Sequence, residues 1–246
     1  MEASLEIGWS SFMLLWINMS NTALIMCTYI RFENLKVTLA CLNNQTDKDF
    51  DFYIVDNSNR NEKLLAYLDK YKGNLNISVH NYLNEFKQFA RFLLARDLAE
   101  QGYEKIIFID DDEIIPNTFI QECHRQYESD CVKSFWAHRV NLRYKRKIKI
   151  VGNELGNYAG TGGLICESKL FLNEDFFDCP EEYWIIDDLW LSYYILKFTD
   201  YKIKELRTNI EFIKDRKATF MTLGDLKQRF SEEFILPESE GIDSLE

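Results

Sequence analysis

The sequence predicts an α/β fold: a mostly parallel sheet flanked by helices, with a smaller mixed and antiparallel portion in the second half. Three observations point there. In the first half, apolar runs of strand length alternate with stretches of helical periodicity, and such alternation folds as crossover units with helices on both faces of one sheet. The strand-like runs are continuously apolar, as in TALIMCTY at 22–29, which is how a strand buried on both faces reads. The chain has 246 residues, 46% hydrophobic and 28% charged. That is enough to bury one large core, so a single domain over 1–246 is expected.

The elements follow in order. TALIMCTY is the first strand. FENLKVTLACLNNQ carries Leu35, Leu39 and Leu42 at helical spacing. DFDFYIVDNS is a second strand ending in polar turn residues, NEKLLAYLDKY a helix and LNISVHNY a third strand. EFKQFARFLLARDLAEQGY is a long amphipathic helix closing near Gly102, and EKIIFID is the fourth strand. NTFIQECHRQY suggests a further helix. DCVKSFWAH and RVNLRYKRKIKIV read as strands, and NYAGTGGLICES as a Gly-rich turn into a strand. A strand over the second of these puts Arg143, Lys145, Lys147 and Lys149 on one face, as lysines guarding a solvated edge or as a guide for an anionic group. WIIDDLWLSYYILKF is a helix opening on two aspartates, and the acidic stretch 231–246 is expected to fray.

Several function classes fall away. A net charge of −11 suits no polyanion-coating surface, so nucleic acid is not an expected partner. The six cysteines form no C-x-x-C pair, and several sit in apolar runs such as ALIMCTY and GLICES, as buried free thiols of a reducing compartment do. The N-terminal GWSSFMLLWINMSN has about ten apolar residues, short of the roughly twenty that cross a bilayer, and no basic segment precedes it. It reads as a helix packed on the domain through Trp9, Phe12 and Leu15. The expectation is a soluble, cytoplasmic protein with no transmembrane segment, with peripheral membrane association as the alternative.

The densest chemical signal is KIIFIDDDEIIP at 105–116, where Asp110, Asp111, Asp112 and Glu113 follow one another. Four like charges side by side are costly unless something positive sits among them. Ligands of such sheets bind at the carboxyl ends of the strands, which is where these acids and Asp56-Asn57-Ser58 fall. The run fails as a calcium loop, because its fifth, sixth and twelfth positions are Ile114, Ile115 and Gln121. GTGG at 160–163 lacks the lysine of a phosphate loop. What remains is an all-oxygen site for magnesium or manganese shared with substrate phosphates, or a solvated acidic turn, or acids capping the next helix.

These motifs resemble, in order, the nucleotide-sugar glycosyltransferases of the GT-A (Rossmann-like) fold, family 2 in particular. The matching stretches are the TYIR turn, the helix ending in LNNQT, the strand ending in VDN, the acid run as a D-x-D motif, the G-x-G-G strand GTGGLICE and the helix IDDLWLSYYI. Together they span about residues 22–198. The resemblance implies a nucleotide-binding half over about 20–115 and an acceptor or catalytic half over about 116–215. It places Thr28, Tyr29 and Arg31 in the donor turn, with Tyr29 on the base, and Asp56 on the base or ribose. Arg91 in QFARF approaches the nucleotide, although Phe92 stands where the family has asparagine. Asp110 lies near the ribose, Asp111 and Asp112 hold Mn2+ or Mg2+, and Gly162 and Gly163 line the donor site. Asp188 is the catalytic base, with Asp187 beside it.

The chemistry implied is coherent. Negative charge develops on the departing nucleoside diphosphate, and a divalent ion offsets it. On the other side of the sugar, a carboxylate takes the proton of an attacking glycan hydroxyl, with inversion. UDP is the favoured nucleotide and GDP the second. A sugar nucleotidyltransferase would need a Gly-rich basic loop after the first strand, where CTYIRFEN has no glycine. A non-catalytic nucleotide- or sugar-binding module would lack one of the two acidic centres.

Overall fold

The computed structural model describes residues 20–29, 31–58, 60–82, 85–141, 143–213 and 223–239. Trp9, Phe12 and Leu15, whose packing the sequence predicts, lie outside these residues. In chain order the elements are β1 (Thr22–Thr28), α1 (Phe32–Asn43), β2 (Asp51–Asp56), α2 (Asn61–Tyr71), β3 (Ile77–Asn81), α3 (Ala90–Glu100), β4 (Lys105–Asp110) and β5 (Glu113–Ile114). They continue with α4 (Phe119–Gln126), β6 (Cys131–Ser134), β7 (Ala137–Arg139), β8 (Ile148–Lys149), β9 (Tyr158–Ala159), β10 (Leu164–Glu167), α5 (Asp187–Phe198), β11 (Lys202–Glu205), β12 (Glu211–Phe212) and α6 (Gly224–Phe230).

The main sheet has the order β11-β6-β10-β4-β1-β2-β3. Its neighbours pair in parallel except β10, which runs antiparallel between β4 and β6. β1 explains its own sequence. Ala23, Ile25 and Cys27 join one buried cluster and Leu24 and Met26 another, so both faces are covered and no polar alternation is allowed. The register pairs Cys27 with Asp110 and Thr28 with Asp56, which brings three strand ends to one edge. Two smaller sheets complete the fold. One is β8-β7-β9 and the other pairs β12 with β5, directly behind the acid run.

Two expectations are corrected. The predicted strand over RVNLRYKRKIKIV is interrupted by a 3-10 turn at Tyr144–Arg146, so that its start, Arg139, ends β7 and only Ile148–Lys149 pairs as a separate strand, β8. Tyr144 is buried there and the turn follows it inward, so the four cations share no single face. The stretch from 231 is also ordered as far as 239. Ser231–Ile235 continues α6 as a π turn that buries Ser231 and Ile235, and the segment packs on α5. An apolar stripe of Phe230 and Ile235 outweighs the acidic composition. Residues 240–246 are not among those described.

Candidate active site

The common edge of β1, β2 and β4 carries Thr28, Asp56 and Asp110, followed by the Tyr29 turn, where the Tyr29 side chain is half exposed. Asp56 is fully buried. Its Oδ1 accepts hydrogen bonds from the Ser58 amide (2.8 Å) and hydroxyl (2.6 Å), an Asx turn that shapes the strand end. Its Oδ2 is buried with no hydrogen-bond partner among the described residues.

Two guanidiniums and the raised pKa values of Asp111, Asp112 and Glu113 make the acid run tolerable. Arg31 reaches from the β1–α1 turn to Asp111 Oδ1 (2.5 Å) and Asp112 Oδ2 (2.6 Å). The Thr28 hydroxyl donates to Asp111 Oδ2 (3.0 Å), so both oxygens of Asp111 are held by protein. Arg91, buried on α3, donates to Asp110 Oδ1 (2.9 Å). Burial pushes Asp111 up to about 7 against the pull of Arg31. Burial and then the charge of Asp110 push Glu113 well above the ordinary carboxyl range. Its Oε2 takes the Asp110 amide hydrogen (3.0 Å). The acids do not cap α4, since β5 and Pro116 intervene.

Among the described residues, no three His, Cys, Asp or Glu side chains converge as a metal cage. Asp110 and Asp112 each engage one carboxylate oxygen with an arginine. Each therefore has a second oxygen to offer, which suits an ion that takes one or two carboxylates and completes its shell with phosphates and water. In that restricted sense the residues fit magnesium or manganese.

The second acidic centre opens α5. Neither acid is the N-cap, a position taken by Ile186, and both are buried in the first turn. Asp187 Oδ2 lies 3.1 Å from Arg91 Nε without hydrogen-bond alignment. Arg91 thereby joins Asp187 to Asp110. Burial raises Asp187 to about 6, with Arg91 opposing. Asp188 faces the other way. Its Oδ2 accepts from the Tyr158 hydroxyl (2.6 Å) and from Lys227 Nζ (2.7 Å) of α6. Burial acts to raise it, but the Lys227 ammonium and these hydrogen bonds outweigh burial and hold it below the usual carboxylate value. Ser192 fixes the turn, donating to the Asp188 carbonyl (2.7 Å) and accepting from the Ala159 amide (3.0 Å).

Gly162 and Gly163 stand between the two centres. A Cβ at Gly162 would collide with Glu113 Oε1 and lie 2.9 Å from Asp110 Oδ2. Gly163 has φ of +62°. Sequence reasoning missed Lys227, Tyr158 and Tyr144. Tyr144 donates to the Tyr158 hydroxyl (3.1 Å). Lys227 is 39 residues from Asp188 in no recognisable motif, and only the fold brings it there.

A strand edge of acids and arginines, facing a buried aspartate pair across a Gly-rich strand, defines an α/β enzyme of the GT-A kind. Residues 23–161, more than half of the chain, match the glycosyl transferase family 2 profile, and the chain belongs to that family. Its fold is similar to that of the mannosyltransferase PcManGT from Pyrobaculum calidifontis in complex with GDP-Man and Mn2+ (TM-score 0.63, 13% identity, 90% of this chain and 67% of that one). It is also similar to S. aureus TarS 1–349 in complex with UDP (TM-score 0.50, 19% identity, 89% and 68%). Against the longer TarS chain the match covers 75% of this chain and 35% of that one, so this chain spans about a third of that protein's length. A search of curated proteins gave no match.

Proposed function

We propose that this family 2 glycosyltransferase moves a sugar from a nucleoside diphosphate, UDP first and GDP second, to a hydroxyl of a glycan, with inversion. One observation carries the reading: Thr28, Asp56 and Asp110 end three parallel strands at one edge, and Arg91 ties that edge to Asp187 at the start of α5. Tyr29 and Asp56 are positioned for the nucleoside, Asp56 through its unpartnered Oδ2. Asp110 and Asp112 would hold Mn2+ or Mg2+ rather than the expected Asp111 and Asp112, since both Asp111 oxygens are engaged by Thr28 and Arg31, and Asp111 would support the site from behind. When bound, the ion offsets charge on the leaving diphosphate.

Asp188 is the proposed base. Lys227 and Tyr158 keep its carboxylate ionised and aimed, at the cost of basicity. Asp187 is the second reading for this role. Its pKa, raised to about 6, lies nearer neutral pH, where proton transfer is most effective, and its Oδ2 makes no hydrogen bond among the described residues. In either case the neighbouring aspartate is a positioning residue. The test is transfer from UDP- and GDP-sugars, read as release of the nucleoside diphosphate in the presence and absence of Mn2+. Release that depends on an added sugar acceptor supports the reading. No release from any donor, by a folded protein that binds no nucleotide, removes it.

A further inference from the structure

We propose that residues 143–151 form a docking surface for an anionic lipid bilayer. The segment crowds five cations, Arg143, Lys145, Arg146, Lys147 and Lys149, into seven positions, and no Asp or Glu occurs anywhere from 131 to 153. None of the five is ion-paired with a carboxylate among the described residues. Some cations elsewhere find partners, as Lys133 does in Glu128, Lys197 in Glu238 and Lys204 in Glu128, but no other segment crowds this many without one. A concentration of unneutralised positive charge in a chain of net charge −11 is a local departure that solubility does not require.

The second observation is apolar. Ile148 is 62% exposed and Val151 58%, the highest values among the exposed large hydrophobic residues described. Both lie within the same basic segment. Lys147 is half-buried over the Tyr144 ring (4.0 Å), and Lys149 lies over the Phe135 ring (3.9 Å) while staying exposed. Lys145, Arg146, Ile148 and Val151 are left facing solvent.

Protection of a sheet edge does not account for this combination. β8 is an edge strand of the small sheet, and lysines alone would keep it from pairing. Edge protection removes exposed aliphatic side chains and does not add them. A soluble polyanion would use the cations and gain nothing from Ile148 and Val151. A bilayer interface uses both, with aliphatic groups at the acyl boundary and ammonium and guanidinium groups among anionic headgroups. The acidic remainder of the protein is repelled by the same headgroups, so this face is the one turned toward them. The claim stands without the enzymatic reading.

The full chain is sedimented with vesicles of phosphatidylcholine, with and without phosphatidylglycerol, at low and high salt. Binding is expected only with phosphatidylglycerol and is weakened by salt. Lys145→Glu with Arg146→Glu should weaken it by at least about twenty-fivefold, since each cation at such a surface contributes roughly fivefold. Ile148→Ser with Val151→Ser should weaken it several-fold while the salt dependence stays. All four side chains are exposed, and unchanged melting temperatures show that the variants fold. Absence of binding to the anionic vesicles overturns the proposal. So does equal binding by wild type and both variants, which would place any membrane contact elsewhere in the chain. Binding of soluble dextran sulfate that the charge reversals abolish, with no vesicle binding, would make the segment a polyanion site instead.

Discussion

The two acidic centres solve the same electrostatic problem differently. At the end of β4, Asp110 and Asp112 border solvent above the buried Asp111 and Glu113, and Arg31, itself partly in solvent on a turn, pairs with Asp111 and Asp112. At the start of α5 the acids are buried, and their cations come from helices, Arg91 on α3 and Lys227 on α6. A solvent-bordering centre can exchange a protein cation for a metal or phosphate at little structural cost. A buried one cannot, because removing one member leaves an uncompensated charge in the interior. The first arrangement suits a site that loads and releases a charged donor, and the second suits a group that must keep its place and protonation.

That difference can be broken experimentally, most severely at Asp188. Asp188→Asn keeps the shape and loses the proton acceptor. Transfer should fall by about a hundredfold to ten-thousandfold, while the nucleotide dissociation constant changes little. Asp187→Asn should cost less, and the reverse order in paired rate measurements would move the base to Asp187. Lys227→Met attacks the same centre through stability. Denaturant unfolding should show a loss of about 3–5 kcal/mol, the usual cost of orphaning a buried charge. A loss under about 1 kcal/mol would mean the pair is solvated. Adding Asp188→Asn to that variant should recover part of the loss.

The acid run carries more moderate effects. Gly162→Ala drives a methyl into Glu113 and toward Asp110, and overpacking of this kind costs about 1–3 kcal/mol. Arg31→Gln should lower stability, since it leaves the buried Asp111 without its cation, and should weaken nucleotide binding in a salt-dependent way. Denaturant unfolding checks the first part and calorimetric titration at two ionic strengths the second.

The smallest effect concerns pH. In the folded protein Asp187 is raised from the ordinary 3.8 to about 6. The folded state therefore binds more protons than the unfolded one in that window. The contribution of Asp187 is full below about pH 4 and is lost as pH rises through about 6. Asp187→Asn should flatten this part of the stability profile, and should remove any acid limb of the rate profile near pH 6. Unfolding curves at intervals from pH 4 to 7 measure the slope, and an unchanged slope would detach it from Asp187.

The legibility of the sequence follows the same division. β1, β2 and β4 were readable because burial on both faces leaves an unbroken apolar run and polar residues only at the ends. Asp56, Asp110 and the pair at Asp187 and Asp188 stood out because each sits where a periodic pattern stops. Lys227, Tyr158 and Tyr144 left no such mark, since their roles depend on contacts between distant elements. The segment 139–151 reads as one strand because alternating apolar and basic residues satisfy the period of two, whereas burial of Tyr144 imposes a turn.

The claim that most needs testing is that the strand edge binds a nucleoside diphosphate. Isothermal titration of the full chain with UDP, and separately with GDP, with and without Mn2+, tests it directly. The account predicts saturable one-site binding of one of the two nucleotides, strengthened by Mn2+, and lost in Asp112→Ala while Asp188→Asn retains it. Absence of binding by either nucleotide to the wild type, or binding that Asp112→Ala leaves unchanged in affinity and metal dependence, would contradict it.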